Sequence, residues 1–158
     1  MAKYMVTGST GNFGGLALYY LSKKVAKSDI IGLARSEDKA KKLRDQGFDV
    51  RIGDYTNYES LVNAFRGVDR LLFVSSTTSG EISRQIQHEN VVDAAKEAGV
   101  KFIGYTSLIK ADTSQSPLAT DHVFTENLIK ESGLNYAILR NSWYLENEKN
   151  IIDAALNI

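Results

Sequence analysis

The chain contains no cysteine, which excludes disulfide bonds, thiolate nucleophiles and cysteine-held metals. Histidine occurs twice, at His88 and His122, too few to build an imidazole metal site, so no metal is expected. Proline occurs once, at Pro117. Neither sign of charge is in excess: 19 Lys and Arg face 19 Asp and Glu, and the formal net charge is zero. No broad attraction to nucleic acid or to an anionic membrane follows, and any bound anion must be held locally. No apolar run approaches 18 residues, and the N-terminus lacks a basic segment followed by an apolar stretch and a small-residue cleavage site, so a cytoplasmic protein is expected. The 158 residues suit one domain, 1–158, which would bury roughly 68–70% of its unfolded surface.

What is present is glycine in a particular place. Gly8-Ser9-Thr10-Gly11-Asn12-Phe13-Gly14 directly follows the apolar run Tyr4-Met5-Val6-Thr7, where a first strand would turn into a helix. A pyrophosphate needs bare backbone N–H groups and a helix N-terminus, and side chains at the turn would block its approach. Glycine also serves any tight strand-to-helix turn, so the strand before and the helix after decide for a dinucleotide phosphate loop.

Short apolar runs at 4–7, 30–34, 48–52, 71–74, 102–106 and 136–139 predict six buried parallel strands. Helical patterns at 16–24, 37–46, 58–66, 82–98 and 120–131 lie between them, several closed by a glycine such as Gly47, Gly67, Gly99 or Gly133. Pro117 sits at the start of the fifth helix, where its missing N–H costs nothing. This alternation predicts an α/β fold, a Rossmann-type doubly wound parallel sheet of strand order 3-2-1-4-5-6, with ligands at the strands' carboxyl ends.

Several positions at those ends carry chemistry. Arg35 follows the second strand, where an NAD-preferring fold places an acidic residue for the ribose hydroxyls. A guanidinium there suits a 2′-phosphate and hence NADP(H), the alternative being a solvated arginine opening a helix. Gly53-Asp54-Tyr55 follows the third strand, where an acceptor beside an aromatic could hold the adenine, or Asp54 could simply cap a turn. Ser75-Ser76-Thr77 and Thr106-Ser107 place hydroxyls along the cleft, as ribose ligands or as turn residues. After the sixth strand, Arg140-Asn141-Ser142-Trp143-Tyr144-Leu145-Glu146-Asn147 offers adjacent aromatics to a flat substrate, with core packing of Trp143 the competing role.

These motifs, Gly8-x-x-Gly11-x-x-Gly14, Arg35, Gly53-Asp54-Tyr55, Tyr105-Thr106-Ser107 and Arg140-Asn141-x-Trp143-Tyr144, fall in one order. From Lys3 to about Asn147 the chain resembles the NmrA-like atypical short-chain dehydrogenase/reductases, within them the type 2 NAD(P)H:quinone oxidoreductases and next the triphenylmethane dye reductases. The resemblance implies that Gly8, Ser9, Thr10, Gly11, Asn12 and Phe13 hold the pyrophosphate and Arg35 the 2′-phosphate. It assigns Ser75, Ser76 and Thr77 to the cofactor's middle, and Asn141, Ser142, Trp143, Tyr144, Leu145 and Glu146 to the nicotinamide side.

Two departures from the family pattern matter. Typical members of the wider superfamily carry Tyr-x-x-x-Lys on the fifth helix, whereas counting back from Glu126 and Gly133 gives Leu118 and His122 there. Ordinary keto-reduction needs that acid, but a quinone takes hydride to give a stabilised hydroquinone anion that solvent protonates. His122 could bind the nicotinamide ribose or deliver a proton, or be an exposed helix histidine; with Trp143 and Tyr144 it is a candidate catalytic residue. The second departure is length: such reductases continue into a C-terminal lobe that closes the substrate pocket, and this chain stops at Ile158, so that lobe is expected to be missing. Residues 150–156 carry apolar side chains that would pack on another chain as a homo-oligomer or form an exposed patch. Two functions are expected to compete: NADPH-dependent reduction of a quinone or similar flat acceptor by direct hydride transfer, and a non-catalytic NADP-binding redox sensor of the NmrA-like kind.

Overall fold

The structure is a computed structural model and describes residues 1–77, 81–142, 144, 148, 154 and 156. Among the described residues six strands alternate with five α-helices: β1 (Tyr4–Val6), α1 (Asn12–Leu21), β2 (Ile30–Ala34), α2 (Glu37–Asp45), β3 (Asp49–Ile52), α3 (Tyr58–Phe65), β4 (Arg70–Phe73), α4 (Arg84–Glu97), β5 (Phe102–Leu108), α5 (Pro117–Glu131) and β6 (Asn135–Asn141). All pairings are parallel and the sheet order is β3-β2-β1-β4-β5-β6, the doubly wound order expected from the sequence.

Strand alternation divides the apolar residues between two layers. Met5, Ile31, Leu33, Leu71, Phe73, Ile103 and Tyr105 face a core completed by α3, α4 and Ile129 of α5. Val6, Ile30 and Ala34 face the other way, onto Leu18 of α1 and Ala40 and Leu43 of α2. Each fully buried aliphatic or aromatic side chain contributes about 1.5–3 kcal/mol, so the sheet is held from both sides. No helix among the described residues is long and apolar enough to cross a membrane.

The helix starts differ in a way that matters for ligands. Ser36, Asn57, Ser83 and Ser116 cap α2, α3, α4 and α5 with their side chains, the last beside Pro117 at the first helical position. Helix α1 begins at Gly11 with no side-chain cap and no acidic residue in its first turn. It also starts four residues earlier than the pattern 16–24 predicts, because Gly14 and Gly15 lie inside the helix rather than in the loop. Strands β5 and β6 outrun their apolar centres through polar ends, down to the Leu108–Asn141 pairing.

Candidate functional site

A cavity of about 550 Å³ opens at the carboxyl ends of β1 to β4, across the point where strand order reverses. The loop between β1 and α1 forms its floor with Gly8, Thr10, Gly11, Asn12 and Phe13. Gly8 adopts a left-handed backbone (φ +58°), and a Cβ there would meet Val74 at 3.2 Å. The bare N-terminus of α1 meets this floor, and its unpaired N–H groups and positive dipole end suit a phosphate. The dinucleotide's pyrophosphate therefore fits what the residues offer.

Arg35 lines the cavity at the end of β2 and has no ion-pair partner among the described residues. Asp54 and Tyr55 line it after β3, but each is also used by the fold. Asp54 Oδ1 accepts from the N–H and the hydroxyl of Thr56, both at 2.8 Å, so the turn-capping alternative is realised. The Tyr55 hydroxyl points inward, donating to the Val74 carbonyl at 2.7 Å and meeting Thr7 Oγ1, and burial pushes its pKa up. Tyr55 thus ties β1 to β4 with its tip and leaves its ring as cavity wall.

Ser75, Ser76 and Thr77 form the wall beyond β4. The Ser75 N–H donates to Thr106 Oγ1 at 2.9 Å, so Thr106 acts as a brace between strand ends. Tyr144 closes the other side, its ring stacked on Phe13 with centroids 5.7 Å apart and planes 25° apart. The Asn141 side-chain amide donates to the Tyr144 hydroxyl at 2.9 Å.

Some expected contacts are absent from this wall. Ser9 turns away: it is buried, and its hydroxyl donates to the Leu33 carbonyl at 2.7 Å, so only its main chain is left for a phosphate. Asn141 and Ser142 are not wall residues, Asn141 acting through Tyr144. Trp143, Leu145 and Glu146 lie outside the described residues. Leu33, Thr56 and Gln87 line the cavity without having been singled out by the sequence, where nothing local marks them.

His122 is neither an exposed helix histidine nor a wall residue; it is buried at 5% exposure. Its Nδ1 lies 2.8 Å from the Tyr105 hydroxyl and its Nε2 lies 3.2 Å from Arg84 Nη2. Burial, then the Arg84 charge, lowers its pKa to about 4, so near neutral pH it holds no extra proton to deliver. The direct acid role expected of it does not match these surroundings.

Ser107 likewise faces away from the cavity, donating to Glu126 Oε1 at 2.6 Å. Glu126 is buried and also takes a two-pronged bond from Arg140, at 2.9 and 2.8 Å. Burial alone would raise the carboxyl's pKa, but the Arg140 and Ser107 hydrogen bonds outweigh it and hold it at about 2. This pair fixes β6 just before the segment that carries Tyr144. Replacing Glu126 with Ala is expected to cost about 2–4 kcal/mol in urea unfolding, because it strips partners from Ser107 and Arg140.

A family model for NAD(P)H-binding domains matches residues 8–155. The chain belongs to this family. It is 46% identical to quinone oxidoreductase 2 of Escherichia coli over 151 residues, covering 96% of this chain and 52% of that protein. The crystal structure of an NADPH-dependent quinone oxidoreductase of E. coli with NADPH bound superposes with a TM-score of 0.90 at 45% identity, over 98% of this chain and 54% of that one. The triphenylmethane reductase of Citrobacter sp. complexed with NADP(H) gives a TM-score of 0.89 at 43% identity, over 96% and 55%. The chain spans about half the length of these relatives. The resemblance read from the sequence, to NmrA-like proteins with these two kinds of reductase foremost, is borne out.

Proposed function

We propose that the cavity holds NADP(H) and that the protein reduces a quinone, or a similar flat acceptor, by direct hydride transfer. The observation that carries the reading is Arg35, a guanidinium with no ion-pair partner among the described residues, on the cavity wall after β2, where a 2′-phosphate would stand. The uncapped N-terminus of α1 supports it by offering the pyrophosphate bare N–H groups. Relatives named as NADPH-dependent quinone oxidoreductase and triphenylmethane reductase point to the same substrate class.

The bound cofactor supplies the hydride. The chain's share is to hold and orient: Gly8, Thr10, Gly11, Asn12 and Phe13 at the phosphates, Asp54 and Tyr55 at the adenosine end, and Ser75 to Thr77 at the middle. The Phe13–Tyr144 stack provides a flat apolar surface for the acceptor. No histidine delivers the proton, which the hydroquinone anion takes from water. Residues 1–158 carry the cofactor domain, and the apolar side chains in the 150–156 stretch suit packing against a second copy of the chain.

Arg35→Asp is expected to weaken NADPH about 30- to 100-fold, as two charge-assisted hydrogen bonds turn into a repulsion, while NADH changes no more than about threefold. Titration of each nicotinamide by fluorescence measures this, and an unchanged NADPH affinity would remove Arg35 from the site. A second reading, a redox sensor that binds NADP(H) without turnover, is favoured by two observations: Leu118 stands where a tyrosine acid usually does, and His122 is walled in. NADPH-dependent binding of a protein partner without quinone-dependent oxidation supports that reading instead.

A further inference from the structure

Ser76 lies in the cavity wall, and both halves of its main chain are gripped by side chains of α4. Its N–H donates to His88 Nε2 at 3.0 Å, and its carbonyl accepts from Arg84 Nε at 2.9 Å. Residues 84 and 88 stand one turn apart on the same helix face, so one surface of α4 holds one residue of the wall.

The bonds behind this grip permit one arrangement of protons. A main-chain N–H can only donate, so His88 Nε2 is an acceptor, and the ring proton sits on Nδ1, 2.7 Å from Thr125 Oγ1. Thr125 in turn donates to the Asp121 carbonyl at 2.8 Å. An arginine also can only donate, so His122 Nε2 accepts from Arg84 and His122 Nδ1–H donates to Tyr105. The clamp is therefore anchored on α5 and β5 through donors and acceptors that cannot exchange roles.

Packing alone does not call for such a cluster. Arg84 is buried at 7% exposure, and its Nη1 has no hydrogen-bond partner among the described residues, standing 3.8 Å from Asp121 Oδ2. Apolar side chains would join α4 to β4 and α5 without burying a guanidinium or leaving one arm unsatisfied. What they would not do is fix the Ser76 peptide.

The geometry points to Arg84 and His88 as positioning residues for the nicotinamide half of the cofactor, an inference that rests on the NADP(H) reading above. They touch neither cofactor nor substrate; they hold the Ser75–Thr77 wall where the cofactor's middle passes. The adenosine end, at Arg35 and Asp54, is built from other elements and does not depend on them.

The test compares NADPH with adenosine 2′,5′-bisphosphate, a fragment that carries the 2′-phosphate but stops short of Ser76, on the wild-type chain and on His88→Leu, His88→Gln and Arg84→Met. NADPH is expected to weaken at least ~10-fold in His88→Leu and Arg84→Met while the fragment's affinity stays within about twofold. His88→Gln, whose amide oxygen can accept the Ser76 N–H, should stay within about threefold of wild type for NADPH. Equal weakening of both ligands, as a general loosening of the fold would give, overturns the inference, and so does no weakening of either. Failure of the wild-type chain to bind NADPH at all overturns the cofactor reading, and this inference falls with it.

Discussion

Gly14→Ala is expected to cripple both folding and cofactor binding. A Cβ at Gly14 would stand 2.2 Å from the Gly8 carbonyl oxygen, 2.6 Å from its carbon and 2.9 Å from Ser9 Cα. All three are backbone atoms of the phosphate loop, so no side chain can swing aside, and α1 must move off the loop. Helix propensity works the other way, favouring alanine over glycine by about 1 kcal/mol in a helix interior, but overpacking against backbone outweighs it. We expect a net loss of ~3 kcal/mol, seen as a melting temperature lower by about 6–12 °C, with NADPH affinity down by ~100-fold or more. Gly15→Ala is the matched control, because its Cβ meets only Ser9 O at 3.6 Å, an ordinary contact. That variant should be as stable as wild type or slightly more so. If the two variants behave alike, the close approach of α1 to the loop is not what Gly14 provides.

The second large effect is a loss of stability in acid that begins near pH 6.5. His88 is fully buried, and burial first, with the Arg84 charge next, lowers its pKa to about 3; the same causes take His122 to about 4. In the unfolded chain both protonate near 6.5, so below that value the unfolded state binds more protons than the folded one. The stabilisation is therefore complete above pH 6.5 and is lost as pH falls, at up to about 1.4 kcal/mol per pH unit for each histidine. By pH 5 the two together forfeit about 4 kcal/mol, a large share of a typical domain's stability of about 5–15 kcal/mol. Glu126, held at about 2, adds its own loss only below its ordinary range near 4.5. Urea unfolding at a series of pH values measures the slope. A steady fall between pH 6.5 and 5 is expected, and a level plateau there contradicts the donor-locked, neutral state of both rings. His88→Gln should roughly halve the slope, since one titrating site is gone.

The parts of the fold that sequence reveals are those where the signal is local. Ile30-Ile31-Gly32-Leu33-Ala34 forms β2 at the expected positions because a strand buried on both faces must be apolar throughout. The phosphate loop is legible for the same reason: glycines at 8, 11 and 14 answer to one turn and one close approach. The start of α1 is less legible, because Gly14 reads as loop in the sequence while in the fold it packs against Gly8. The polar cluster beneath Ser76 leaves no periodic signal, since Arg84, His88 and His122 look like solvated helix residues in a linear chain. They come together only when α4 and α5, consecutive helices joined through β5, pack side by side on one face of the sheet. Tyr55 is a mixed case, correctly placed at the cavity, yet committed by its hydroxyl to Thr7 and Val74 in a way no spacing predicts.

The proposed function has this chain pass hydride from NADPH to a quinone at the cavity between Arg35 and Tyr144. Its most direct test is to saturate the purified chain with NADPH, add a simple benzoquinone, and follow the absorbance of the reduced nicotinamide. Expected are oxidation faster than the uncatalysed reaction, one NADPH consumed per quinone, and a rate that collapses in Arg35→Asp at the same NADPH concentration. Saturable NADPH binding with no quinone-dependent oxidation above the uncatalysed rate would contradict it.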